Sequence, residues 1–139
     1  MKILILNGAN LNLLGTREPD IYGSTSMDDI LTHLKSEYSQ HAIEYFQSNF
    51  EGEIIGKIQE NNFDALVINP GAFTHYSYAI ADALKNLKKP KIEVHISNIY
   101  QREVFRQKSV TAAYTDAVLS GFGTEGYRLA IIHLISTIQ

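Results

Sequence analysis

The sequence predicts a three-layer α/β sandwich around a five-stranded parallel sheet. Two observations carry this. Five short apolar runs alternate with helical patterns along the whole chain. The runs are continuously apolar, the mark of strands buried on both faces of a parallel sheet.

The first strand is expected over Ile3–Leu6, ended by Asn7-Gly8, and the second over Ala42–Gln47. The third covers Ala65–Ile68 before Asn69-Pro70-Gly71, the fourth Ile92–Ile96, and the fifth Ala117–Leu119 before Gly121. Between the first two, Met27, Ile30, Leu31, Leu34 and Tyr38 follow helical spacing, with Ser26 as N-cap. Ile54, Ile55 and Ile58 mark a second helix; Ile80, Leu84 and Leu87 mark a third, starting near Ser77 and stopped by Pro90. Thr124 caps a last helix through Ile138, with Leu129, Ile131, Ile132, Leu134, Ile135 and Ile138 on nearly every side. A helix apolar all round is buried, and in so small a domain that predicts an oligomer interface. At this length the expected strand order is flavodoxin-like, 2-1-3-4-5, with ligands at the carboxyl ends of the strands. That directs attention to the loops after Leu6, Ile68, His95 and Leu119.

A chain of 139 residues has the length of one domain, read as residues 1–139. The hydrophobic fraction is 45% and the charged fraction 19%, as in a folded core. A net charge of -3 gives no electrostatic case for nucleic acid or an anionic membrane. The absence of cysteine excludes disulfides, thiolate nucleophiles and Cys-based metal centres. No apolar run approaches the ~20 residues that span a bilayer, and no signal peptide is legible at the start. A cytoplasmic location is expected.

Three loops carry chemistry. The first, Gly8 to Ser24, is far longer than the usual connection of about 2–6 residues. It holds Asn10, Asn12, Arg17, Glu18, Asp20 and Tyr22, with Gly15 and Gly23 as hinges for a lid. The competing reading is a decorated surface turn. In the third-strand loop, Asn69 sits at the strand end, His75 just before a helix and Asp82 inside it. Taken alone, the last two read as solvated positions. On the fourth strand Glu93 and His95 are two apart and point to one side. A carboxylate beside an imidazole fixes its tautomer and favours its charged form. A charged pair in an apolar strand is costly, which favours function over structure. Ile96, Ser97 and Asn98 then open a short helix whose N–H groups suit an anion, and Arg102 and Arg106 share a helix face. Lys85, Lys88, Lys89 and Lys91 read as a solvated helix end. No dinucleotide or P-loop fingerprint occurs, and no His/Asp/Glu set has metal spacing. Two other readings of the fold remain at this point. A flavin-binding domain needs a phosphate-cradling first loop, and a receiver-like domain needs acids at the end of the first strand.

NGANLNLLGTREPDIYG, NPGAFTHYSYAIADAL and EVHISNIYQREVFRQKS resemble the signature stretches of the type II 3-dehydroquinate dehydratases, and GFGTEGYRLAI resembles that family's C-terminal segment. The resemblance covers nearly the whole chain. It departs at Ala9, Ala81 and Tyr100, where the family often has Pro, Arg and His. It implies dehydration of 3-dehydroquinate to 3-dehydroshikimate, in the shikimate and chorismate route and in some organisms quinate breakdown. It implies no cofactor, no metal, and a homo-oligomer, a dodecamer of four trimers. By the resemblance Tyr22 is the base and Arg17 its activator. Free Tyr has a pKa near 10, so ionising it at pH 7 costs about 4 kcal/mol, part of which an adjacent Arg offsets. Asn10 would stabilise the enolate oxygen, His95 would protonate the leaving hydroxyl, and Glu93 would orient His95. Asn69 and the N–H groups of Ile96 and Ser97 would hold the substrate carboxylate. His75, Asp82 and Arg106 would meet ring hydroxyls, Asp82 in a neighbouring subunit's site.

Overall fold

In the computed structural model of the chain, residues 1–16, 20 and 25–138 are described. β1 (Lys2–Asn7) lies inside the sheet because its residues are apolar on both faces. It is flanked by β2 (Ala42–Gln47) and β3 (Ala65–Asn69); β4 (Lys91–His95) and β5 (Ala117–Ser120) follow. All pairings are parallel, in the expected order β2-β1-β3-β4-β5. β3 runs one residue further than expected. β4 is shifted back by one, which leaves Ile96 beyond the strand end.

Strand alternation divides the core in two. Ile3, Ile5, Val67 and Val94 face α1 (Met27–Glu37) and α4 (Glu125–Ile138). Leu4, Leu6, Leu66 and Ile68 face α2 (Glu51–Glu60) and α3 (Tyr78–Asn86). Each fully buried aliphatic side chain contributes roughly 1.5–3 kcal/mol. Ser26 closes a capping box at α1: it accepts from the Asp29 N–H at 3.2 Å, and Asp29 accepts from the Ser26 N–H at 3.4 Å. Ser77 caps α3 by accepting from the Ile80 N–H, and donates to Glu51 on α2.

Two sequence expectations change. The basic run after α3 is not all solvated. Lys91 is buried, and its Nζ donates to the Leu87 carbonyl at 2.7 Å, satisfying an end-of-helix acceptor. α4 is not buried all round. Tyr127, Ala130, Ile131 and Leu134 are buried, whereas Ile132 and Ile138 are 39% and 41% exposed. Leucine and isoleucine on the outer face made the pattern look uniform, but one sheet covers only one side of a helix. No helix among the described residues is long and apolar enough to cross a membrane.

The carboxyl ends of the strands are bolted together. Gly8 N–H donates to the Asn69 carbonyl at 2.8 Å, and a Cβ on Gly8 would lie 2.0 Å from the Pro70 oxygen. Only glycine permits that approach. On the other side, Gly123 N–H donates to the Ile96 carbonyl at 3.0 Å. The loops after β1, β3, β4 and β5 thereby converge.

Candidate active site

The Glu93–His95 pair forms as the period-two spacing requires. His95 Nε2 lies 2.7 Å from Glu93 Oε2, and both side chains are buried. Thr74 and Ser109 also reach Oε2, at 3.2 and 3.1 Å, and Thr111 bonds to Oε1. Burial pushes the Glu93 carboxyl up, but the His95 bond and charge, with the Thr111 and Ser109 hydroxyls, outweigh it and hold Glu93 below its ordinary value. The carboxylate is therefore ionised, and Nε2 carries the proton between the two groups. Nδ1 is left as the atom of His95 that is free for chemistry. Thr74, Ser109 and Thr111 were not singled out in the sequence. Ser109 stands at the end of the third motif, and only its neighbourhood there hinted at a role.

A second buried chain lies behind Asn69. Its Oδ1 accepts the Gly71 N–H at 3.1 Å and its Nδ2 donates to Tyr127 Oη at 3.0 Å. Tyr127 donates in turn to Asn7 Oδ1 at 2.9 Å. Tyr127 is fully buried, and that burial pushes its hydroxyl far above the ordinary tyrosine value, so it stays protonated. Asn69 is fixed as a donor, with its second Nδ2 proton left for the pocket that it lines. Asn7 and Tyr127 are further site residues that sequence reasoning missed.

The pocket between these chains is lined by Ala9 and Leu11 after β1, by Asn69, Gly71, Ala72 and His75 after β3, and by His95, Ile96, Ser97, Ile99, Arg102 and Arg106 after β4. His75 Nδ1 bonds to the Lys108 carbonyl at 2.7 Å. Burial holds its pKa below the usual value, the charges of His95, Arg106 and Arg102 add to this, and the Lys108 carbonyl opposes it. Neutral His75 donates from Nδ1 and presents Nε2 as an acceptor. Arg106 Nε donates to Glu103 at 2.5 Å. Arg102 and Arg106 do not share a helix. Two separate one-turn 3-10 segments, Ile99–Gln101 and Val104–Arg106, bring both to the pocket instead. The short helix expected to open at Ile96, Ser97 and Asn98 starts later, at Ile99, capped by Asn98.

Two assigned residues stand apart. Asn10 is exposed with φ 68°, and its N–H donates to Asn49 at 2.9 Å; its neighbours Ala9 and Leu11 line the pocket, but Asn10 does not. Asp82 is exposed on α3, away from the lining. Arg17, Glu18, Tyr22 and Gly23 lie outside the described residues. Asp20 lines an adjoining cleft with Ser97, Asn98, Gly121 and Gly123, where the loop after β5 joins the site. Among the described residues no group of three or more His, Asp or Glu is placed to hold a metal ion.

A family profile described as Dehydroquinase class II matches residues 1–135. The 3-dehydroquinate dehydratase of Thermotoga petrophila is 52% identical over 141 aligned positions, covering 100% of this chain and 98% of that protein. That of Caldicellulosiruptor bescii is 54% identical, covering 96% of this chain and 95% of that protein. Among solved structures, the type II dehydroquinase from Butyrivibrio crossotus superposes with a TM-score of 0.93 at 48% identity, covering 97% of each chain. The type II dehydroquinase from Propionibacterium acnes gives 0.91 at 43% identity, covering 97% of this chain and 96% of that one. With this geometry, the profile match and relatives of this identity over the full length, the chain belongs to the class II dehydroquinase family.

Proposed function

We infer that the protein is a type II 3-dehydroquinate dehydratase, a hydro-lyase that converts 3-dehydroquinate to 3-dehydroshikimate and water in the shikimate pathway. The observation that carries the site assignment is the buried Glu93–His95 pair opening onto a pocket with Asn69, His75 and Arg106.

In this reading Tyr22, its ionisation favoured by Arg17, removes a proton from the carbon beside the ketone. The C–H electrons move into an enolate whose oxygen Asn10 stabilises, through a held water where its side chain falls short. As the enolate collapses, the C–O bond to the hydroxyl breaks and His95 Nδ1 supplies the proton that makes it water. Glu93 holds Nε2–H throughout and compensates the imidazolium charge. The second amide proton of Asn69 and the N–H groups of Ile96 and Ser97 face the substrate carboxylate. His75 accepts from a ring hydroxyl, and Arg106 meets another. The proton balance closes without metal or cofactor. No lysine lines the pocket among the described residues, in keeping with a route that forms no imine.

Residues 1–139 act as one catalytic domain in the cytoplasm. They assemble as a dodecamer of four trimers, in which Asp82 enters a neighbour's site. Exposed Tyr78, Tyr100, Val104 and Phe105, 63–83% accessible in the single chain, support assembly, and light scattering measures it. The direct test adds 3-dehydroquinate and follows the ultraviolet absorbance of the conjugated enone. Absorbance should rise with the parent protein and stay flat with His95→Ala of unchanged melting temperature. A parent that produces no enone overturns the function; an active His95→Ala overturns the assignment of the acid.

A further inference from the structure

Counting protons around Glu93 leaves one arrangement. Thr74 Oγ1 lies 2.6 Å from Ser109 Oγ and 2.7 Å from Thr111 Oγ1, and Thr111 is bonded to Glu93 Oε1. The other approaches are longer: Ser109 to Oε2 is 3.1 Å, Thr74 to Oε2 is 3.2 Å, and Ser109 to Thr111 is 3.2 Å. Hydroxyl hydrogen bonds run about 2.5–3.0 Å. Each hydroxyl brings one proton and an ionised carboxylate brings none. Thr111 must therefore donate to Oε1. Its oxygen then takes the Thr74 proton, and Thr74 takes the Ser109 proton. Ser109 Oγ accepts the Ala112 N–H at 3.0 Å, which starts the series. The reverse order leaves Thr111 Oγ1 against Oε1 with no hydrogen between them, and any mixed order leaves a 2.6–2.7 Å pair without one.

We propose that Ser109, Thr74 and Thr111 form a one-way hydroxyl chain that saturates Glu93 Oε1 and so reserves Oε2 for His95. The three are positioning residues, since none of them lines the pocket. A proton on Oε1 would force reversal and leave the Ser109 proton only the 3.1 Å approach to Oε2. The chain thus keeps Oε1 unprotonated and leaves Oε2 as the oxygen that shares a proton with His95. The backbone supports it: Val110 N–H donates to the Thr74 carbonyl at 2.7 Å, tying the 108–111 segment to the loop after β3. Bonds in such a series polarise one another, by about 10–30% per bond. The influence of each hydroxyl on Glu93 therefore falls with its distance along the chain. Three independent donors would instead give Ser109 and Thr111 comparable weight.

This inference rests on the reading of His95 as the proton donor. The test follows the titration of Glu93 by carboxyl carbon NMR, assigned with Glu93→Gln, and KM for 3-dehydroquinate, in the full-length protein and in Thr111→Val, Thr74→Val and Ser109→Ala. Among the described residues, the charged and titratable groups that line the pocket beside the pair are His75 after β3 and Arg102 and Arg106 after β4, and all three are left intact. The Glu93 titration midpoint should move to higher pH by about one pH unit in Thr111→Val. It should move less in Thr74→Val and least in Ser109→Ala, with KM unchanged. Thr111→Ser, which returns the hydroxyl, should restore the parent profile. An unmoved Glu93 midpoint in folded Thr111→Val, or equal shifts in Thr111→Val and Ser109→Ala, overturns the chain. If Thr111→Val does not fold, a Ser109→Ala shift as large as that of Thr74→Val does so. An active His95→Ala would instead sink the proton-donor reading, whatever the hydroxyl variants show.

Discussion

The polar chain behind His95 ends in a charge, and the one behind Asn69 does not. Both are buried, and both finish on a side chain that lines the pocket. Glu93 keeps its charge in an apolar strand because an imidazole and hydroxyls surround it. Asn69 is held by a tyrosine that stays neutral. A charge without partners costs far more than an amide without partners. The first chain can therefore serve proton transfer, and the second can only orient a donor.

Breaking the charged chain should have the largest effect. In Glu93→Gln the amide presents a donor to either His95 or Thr111, both of which already donate. Turnover should fall by about 10²–10⁴-fold, the range of a lost general acid, with KM little changed and a cooperative melt retained. Steady-state kinetics decides: a Glu93→Gln enzyme within a few fold of the parent would mean that the charge does not matter.

Breaking the neutral chain should be milder and of another kind. Tyr127→Phe leaves Asn69 Nδ2 and Asn7 Oδ1 without their shared partner, at a cost of about 1–3 kcal/mol in stability. With Asn69 no longer fixed as a donor, KM should rise roughly tenfold while kcat holds, one lost hydrogen bond being worth about a factor of ten. If kcat collapses with KM unmoved, the separation of the two chains into transfer and binding is wrong.

Acid sharpens the contrast. The folded pKa of Glu93 lies below the ordinary value near 4.5. Its stabilising contribution is therefore complete above that value and is lost as pH falls through the folded value. Parent melting temperature should drop on acidification, and Glu93→Gln should flatten part of that drop. Glu37 is also lowered, chiefly by its hydrogen bond to Arg128, but it is exposed. Its share of the drop should vanish at high salt, while that of Glu93 persists. Equal salt sensitivity of the two would argue against a buried carboxylate.

The smallest effect belongs to a site outside both chains. Ser26→Ala removes the α1 cap and should lower stability by about 1 kcal/mol with kcat and KM unchanged. A kinetic change there would show that the pocket feels general loosening, and the other variants would need correcting for it.

The sequence by itself determined the sheet and half of the charged chain. β1 and β3 are continuous apolar runs, Ser26 sits three residues before Asp29, and Glu93 and His95 share a face because side chains alternate along a strand. These are local patterns, fixed by backbone geometry over a few residues. Tertiary structure decided the rest. Tyr127 meets Asn69 across 58 residues and Asn7 across 120, and Thr111 meets Glu93 across 18. No periodicity links such positions. Lys91 looked solvated in its basic run, yet it is buried against the Leu87 carbonyl. Whether a polar side chain faces water, a carbonyl or a carboxylate depends on which distant segment packs over it, and only the folded chain fixes that.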